Sequence, residues 1–197
     1  MNQSSPKLEW SRIARRIRVP LGFAFAIIYI WLAQPTWISI VAGSLIAAPG
    51  VWLRAVASGH VKKNAELTTT GPYAYTRNPL YLGSIIIALG FAVASRNAWV
   101  AIAIIVLFFA IYLPVIKSEE AFLRSAFANF DDYSEKVPRL FPRFRPVEDA
   151  GSGSFSRELY LKHREYNALL GAATMMLALV LKLVWLSAKT RGLAFNW

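Results

Sequence analysis

The sequence has no cysteine, which excludes disulfides, thiolate metal sites, cysteine nucleophiles and palmitoylation together. Histidine is nearly absent as well. With only His60 and His163, no histidine metal cluster is expected and no metal ligand set is assigned. Acidic residues are scarce, 11 against 22 Lys and Arg, for a net charge of +11. The strand alternation of an outer-membrane barrel is missing, and so is any stretch that reads as a separate soluble domain.

What the chain has instead is apolar length. Its 197 residues are 56% hydrophobic with a mean hydropathy of +0.40. Runs such as Ala98–Ile116 and Ala168–Ser187 carry at most one charge each and approach the length that crosses a bilayer. The expected fold class is all-α: a multi-pass integral membrane protein of about five transmembrane helices, one membrane domain over residues 1–197. In a soluble protein a pI near 10.2 would point to nucleic acid. Here membrane lipids are the better partner, because eighteen of the 22 basic residues and all 11 acidic ones fall in segments placed on one side. The N-terminus and the polar chemistry are therefore expected on the cytoplasmic side.

Read in order, residues 8–18 alternate Trp10, Ile13 and Ile17 with four arginines, the pattern of a helix lying in the headgroup layer. Val19–Gln34 is the expected first span and Trp37–Ala57 the second, with Gly43, Ala47 and Gly50 on one face and Pro49 as a kink. Arg54 has two open readings, snorkelling to headgroups or facing a polar cavity. Leu80–Ser95, the third span, covers only about 24 Å at helical rise. Ser95-Arg96-Asn97 is a tight turn that makes it a hairpin with Ala98–Ile116, the fourth. Gly151-Ser152-Gly153-Ser154 is an expected flexible break. A C-terminal helix over residues 157–187 holds the fifth span, with Lys182 expected to snorkel.

The stretch Gly71-Pro72-Tyr73-Ala74-Tyr75-Thr76-Arg77-Asn78-Pro79-Leu80-Tyr81-Leu82-Gly83 organises the rest. Pro79 fixes its own φ and disfavours helix at Asn78, so a helix begins here, with Asn78 at N-cap and Pro79 at the first helical position. The positive end of that helix and the adjacent Arg77 suit a carboxylate or phosphate. An Asn78 side chain that capped the first turn would compete with such a ligand for the same donors.

The hairpin brings a second element, Glu119-Glu120, to the same membrane surface, and Val137-Pro138-Arg139 follows it. With these parts in this order, residues 67–142 resemble the isoprenylcysteine carboxyl methyltransferase and phospholipid methyltransferase superfamily. The resemblance implies S-adenosylmethionine bound between the hairpin start and the two glutamates, and a lipid or small hydrophobic acceptor arriving from the bilayer. Carried over by position, Tyr73, Asn78, Pro79, Leu80, Tyr81 and Glu119 line the cofactor site, with Leu67 and Thr68 upstream. Asn78 stands where the family more often has histidine; an amide can still hydrogen-bond a carboxylate or the adenine. Arg77 and Glu120 are the residues assigned to the reaction, Glu120 as base if the acceptor is an amine or hydroxyl.

The residue types fit that cofactor on independent grounds. A sulfonium, an ammonium, a carboxylate and a flat base call for carboxylates, a cation or helix N–H groups, and aromatic walls. In-line methyl transfer asks chiefly for alignment in a dry site. The acceptor stays open among a prenylcysteine-like carboxylate, a phospholipid amine, an isoprenoid and a small thiol. Two other classes compete: an NADPH-dependent membrane reductase related to sterol reductases, and a non-enzymatic membrane scaffold. His60 and His163 are expected as plain interfacial residues, Tyr75 as a belt aromatic, and Arg139 as a headgroup anchor within reach of the pocket.

Overall fold

The computed structural model describes residues 22–62, 65–147 and 153–194, with side chains to residue 190. The headgroup-layer helix expected over residues 8–18 and the start of the first span lie outside the described residues, as do Gly151 and Ser152. Among the described residues there is no strand. The helices are α1 (Gly22–Leu32), α2 (Trp37–Ser58), α3 (Pro79–Ser95), α4 (Ala98–Leu107) continuing through a π turn (Phe108–Tyr112) into α5 (Leu113–Ala126), then α6 (Phe130–Lys136), α7 (Arg157–Lys162) and α8 (Tyr166–Ala194).

Among the described residues three helical stretches are long and apolar enough to cross a membrane, Trp37–Ser58, Ala98–Ala126 and Tyr166–Thr190, and α1 and α3 are shorter apolar helices packed among them. Their outer faces carry exposed Trp31, Ile38, Leu45, Trp99, Ile105, Leu181 and Trp185. So large an apolar surface is a liability in water and the lipid-facing side in a bilayer. The protein is an all-α integral membrane protein.

Glycine sets how α2 and α3 meet. A Cβ on Gly50 would stand 2.6 Å from the Gly83 carbonyl oxygen, and one on Gly43 would strike the Gly90 carbonyl, so the two backbones touch with no side chain between them. Hydrogen bonds then fix the ends away from the site. Thr36 and Ser39 form a capping box at the start of α2, and the Ser39 hydroxyl also reaches the Ala94 carbonyl. Arg96 takes the left-handed conformation, φ 51°, closing the α3–α4 turn, while Asn97 caps α4 and donates to the Leu32 carbonyl. Lys182 does not snorkel: its ammonium donates to the Ile30, Trp31 and Ala33 carbonyls at 2.6–2.8 Å, satisfying the exposed C-terminal end of α1.

Two departures from a simple helix reading matter for the site. The helix of the fourth span does not stop at Ile116 but runs on to Ala126, and the π turn interrupts it immediately before Leu113-Pro114. Pro114 lacks an N–H and crowds the carbonyl four residues back, at Ala110, which the wider turn relieves. The C-terminal helix is likewise split: α7 ends at Lys162, Arg164 turns through φ 52°, and α8 begins at Tyr166.

Candidate functional site

The turn at residues 71–74 begins with Gly71 at φ 58°, where a side chain would also meet the His60 ring. From here the chain runs beside the tail that follows α6. The Arg77 N–H donates to the Pro138 carbonyl at 2.9 Å, Arg143 N–H to Tyr75, and Val147 N–H to Ala74. Thr76, 2% exposed, donates its hydroxyl to the same tail, with the Arg139 and Leu140 carbonyls at 3.2 and 3.1 Å. Tyr133 on α6 donates to the Tyr73 carbonyl at 2.8 Å. The tail is thereby locked to the start of α3.

Asn78 occupies the N-cap position of α3, yet its side chain makes no cap bond. Its amide instead donates to Glu120 Oε1 at 3.1 Å and to the Arg139 carbonyl at 3.0 Å. A buried carboxylate outcompetes the local cap, and the first-turn donors of α3 are left without an Asn78 competitor. Glu120, 5% exposed, also takes a two-pronged contact from Arg139 at 2.9 and 2.7 Å and faces Arg77 Nε at 3.6 Å. That hydrogen bond holds the Arg139 guanidinium's pKa above its usual value, with burial opposing. Arg139 is thus more than a headgroup anchor. A base role for Glu120 sits poorly with this arrangement, because its oxygens already accept from one amide and one guanidinium.

Glu119, the neighbour, is exposed and accepts from the Tyr81 hydroxyl at 2.9 Å, and Tyr81 in turn meets Tyr112 edge-on at 5.9 Å. Burial pushes the Tyr73 phenol well above its usual range, with Tyr133, Glu119 and Glu165 adding to the effect and Arg54 opposing it. Burial does the same to Tyr133.

All ten residues singled out in the sequence line one cleft of about 570 Å³: Arg77 and Glu120, together with Leu67, Thr68, Tyr73, Asn78, Pro79, Leu80, Tyr81 and Glu119. The cleft is completed by residues that were not singled out for it, among them Ser84, Tyr112, Tyr133 and Glu165. Tyr112 lies seven residues before Glu119, two helical turns along one face, a spacing that could have pointed to it. Glu165 carries no such signal. Arg54 resolves to the inward reading, donating to Glu165, to the Ser84 hydroxyl and to the Leu80 carbonyl. His60 and His163 each bond a backbone carbonyl at the end of α2, of Val56 and Ser58.

The cleft fits S-adenosylmethionine on one structural observation in particular. Arg77 lines it with its Nε buried and without a hydrogen-bond partner, an unmet donor beside the α3 N-terminus where a carboxylate would go. Glu119 faces the same space as a partner for positive charge, and Tyr81, Tyr112 and Phe130 supply aromatic walls. Ser84 and Tyr112 are shared with a second space, an apolar groove of about 290 Å³ lined by Phe25, Ala88, Leu89, Ile104, Phe108 and others between α1, α3 and α4.

No solved structure matches the chain. Among characterised proteins it is similar to a nickel-cobalt-cadmium resistance protein of Alcaligenes xylosoxydans xylosoxydans, 36% identical over 137 residues, 63% of each chain. It is also similar to a cobalt-zinc-cadmium resistance protein of Cupriavidus metallidurans, 33% identical over 115 residues, 55% of this chain and 52% of that one. The matches thus span about half to two thirds of the relatives' own length. The sequence profile of the phospholipid methyltransferase family matches residues 23–129, which hold α2, α3, the hairpin turn and both glutamates, and the chain belongs to that family.

Proposed function

We propose that the protein transfers a methyl group from S-adenosylmethionine to a lipid or small hydrophobic acceptor at the cleft between the α3 N-terminus and Glu119-Glu120. The observation that carries this is the joining of a polar cleft to an apolar groove through Ser84 and Tyr112. The groove admits an apolar chain from the bilayer side, and the shared residues stand where the acceptor's reacting end would meet the cofactor.

When bound, S-adenosylmethionine supplies a methyl group activated on a sulfonium. The chain's own part is to bind, align and exclude water. Arg77 and the first turn of α3 receive the carboxylate. Glu119, oriented by Tyr81, faces positive charge. The Asn78, Glu120 and Arg139 cluster holds the start of α3 against the tail, and the Tyr73 and Tyr133 phenols stay protonated. No residue need remove a proton if the acceptor is a carboxylate or thiolate. The excess of Lys and Arg in the segments that adjoin the site supports a cytoplasmic placement for it. A part in metal resistance, taken from the relatives' names, would run through the methylated product: among the described residues no group of three or more His, Cys, Asp or Glu is placed to hold a metal.

Calorimetry on detergent-purified protein tests the reading. Binding of S-adenosylmethionine and S-adenosylhomocysteine is expected, and Arg77→Ala should weaken both, since both carry the carboxylate; Arg77→Lys should recover only part. Binding of NADPH alone would establish a reductase instead, and binding of neither a scaffold.

A further inference from the structure

The segment from residue 153 onward lies outside the region matched by the family profile, yet it forms a wall of the cleft. Ser156 N–H donates to the Gly59 carbonyl at 2.9 Å, His163 Nδ1 meets the Ser58 carbonyl at 3.1 Å, and the Phe155 ring stands edge-on to His60 at 6.3 Å. This strap ends at Glu165, whose carboxylate takes the Arg54 Nε and Nη2 in an ion pair; the two side chains are only 11% and 24% exposed.

Among the described residues three cations line the cleft, and each stands near a carboxylate. Lys62 pairs with Glu66 at 2.9 Å, Arg77 faces Glu120 at 3.6 Å, and Arg54 pairs with Glu165. The first two pairs come from within the matched region. Arg54 depends on the strap. Its remaining bonds, to the Leu80 carbonyl and the Ser84 hydroxyl, fix the guanidinium at the join between cleft and groove but bring no negative charge.

An unneutralised guanidinium at that join would repel any cation held in the cleft. The cofactor carries a sulfonium, whereas the thioether left after transfer has the same carboxylate, ammonium and nucleoside without that charge. Resting on the methyltransferase reading, we propose that Glu165 is a specificity-determining residue: by neutralising Arg54 it sets the preference of the cleft for the sulfonium cofactor over its thioether product, which lacks that one positive charge. The strap is then part of the binding site rather than an appendage to it.

The charge argument makes a signed prediction that a purely structural role does not. In calorimetric titrations with S-adenosylmethionine and S-adenosylhomocysteine, Glu165→Gln should lower the ratio of the two affinities in favour of the neutral product, by about tenfold for charges several ångströms apart in a partly screened cleft. Arg54→Gln should shift the ratio the other way, and the double variant should return it to the parent value. Glu165→Asp, which keeps the charge, should hold the preference. If Glu165→Gln fails to fold, the direction of the Arg54→Gln shift still decides. A parent that binds both ligands, with a ratio that no charge change moves, overturns this inference alone; a parent that binds neither overturns the methyltransferase reading and this one with it.

Discussion

The Asn78 amide meets the Glu120 carboxylate at 3.1 Å across 42 residues of chain, and the same amide holds the Arg139 carbonyl at 3.0 Å. One side chain thereby joins the first turn of α3, the end of the α4–α5 span and the tail. Both N–H groups are used inside the protein.

Asn78→Leu should therefore act on stability through an orphaned buried carboxylate oxygen and carbonyl, at about 1–3 kcal/mol, and not through a lost helix cap. Asn78→His retains one donor and should lose less. Thermal unfolding in detergent separates them; equal melting temperatures for the parent and Asn78→Leu would show the contact to be dispensable.

The two glutamates should fail in different ways. Glu120→Gln strips the Arg139 fork of its charged partner and should lower the melting temperature. Glu119→Gln, exposed and bonded to Tyr81, should leave it near the parent's. Its effect should appear in cofactor affinity, where a hydrogen bond to a charged group contributes about 1.5–3 kcal/mol, or roughly tenfold or more in Kd. Matched behaviour of the two variants in both measurements would remove the distinction.

Ala88 lines the apolar groove and not the cleft. Ala88→Phe should fill the groove and lower methyl transfer to lipid extracts by about tenfold, on the scale of an overpacking penalty of roughly 1–3 kcal/mol. Calorimetric cofactor affinity should stay unchanged. Transfer at the parent rate would mean that the acceptor enters elsewhere.

Alkaline pH should loosen the tail. Tyr133 is protonated in the folded protein well past its ordinary range, because burial opposes the phenolate and its O–H donates to Tyr73. A raised folded pKa gives stability that is complete below the unfolded value, about pH 10, and is lost as the pH climbs through the folded value. Melting temperatures of the parent should fall above about pH 10 more steeply than those of Tyr133→Phe. Parallel curves would assign the fall to other groups.

The sequence made the site legible for local reasons. Pro79 can only open a helix, the Ser95-Arg96-Asn97 turn can only reverse one, and a hairpin of that length must bring Asn78 to the glutamates. What stayed hidden depended on distance. Nothing near Asn78 says that its amide prefers a carboxylate to its own backbone, since the competitor arrives from the far helix. Arg164 breaks the C-terminal helix without glycine or proline, so the grading of charge into apolar residues read as one continuous helix. Glu165 and Arg54 are 111 residues apart, and only folding shows that they pair.

The π turn holds one residue more than regular winding would, and it absorbs that surplus without turning the helix beyond it. Deleting Ala110 would therefore let the turn close to ordinary winding with Glu119 and Glu120 still on the cleft, while Pro114 would again crowd the carbonyl four residues back. A single lost codon in this run would thus be absorbed, where the same loss from regular helix would turn everything beyond it by about 100°.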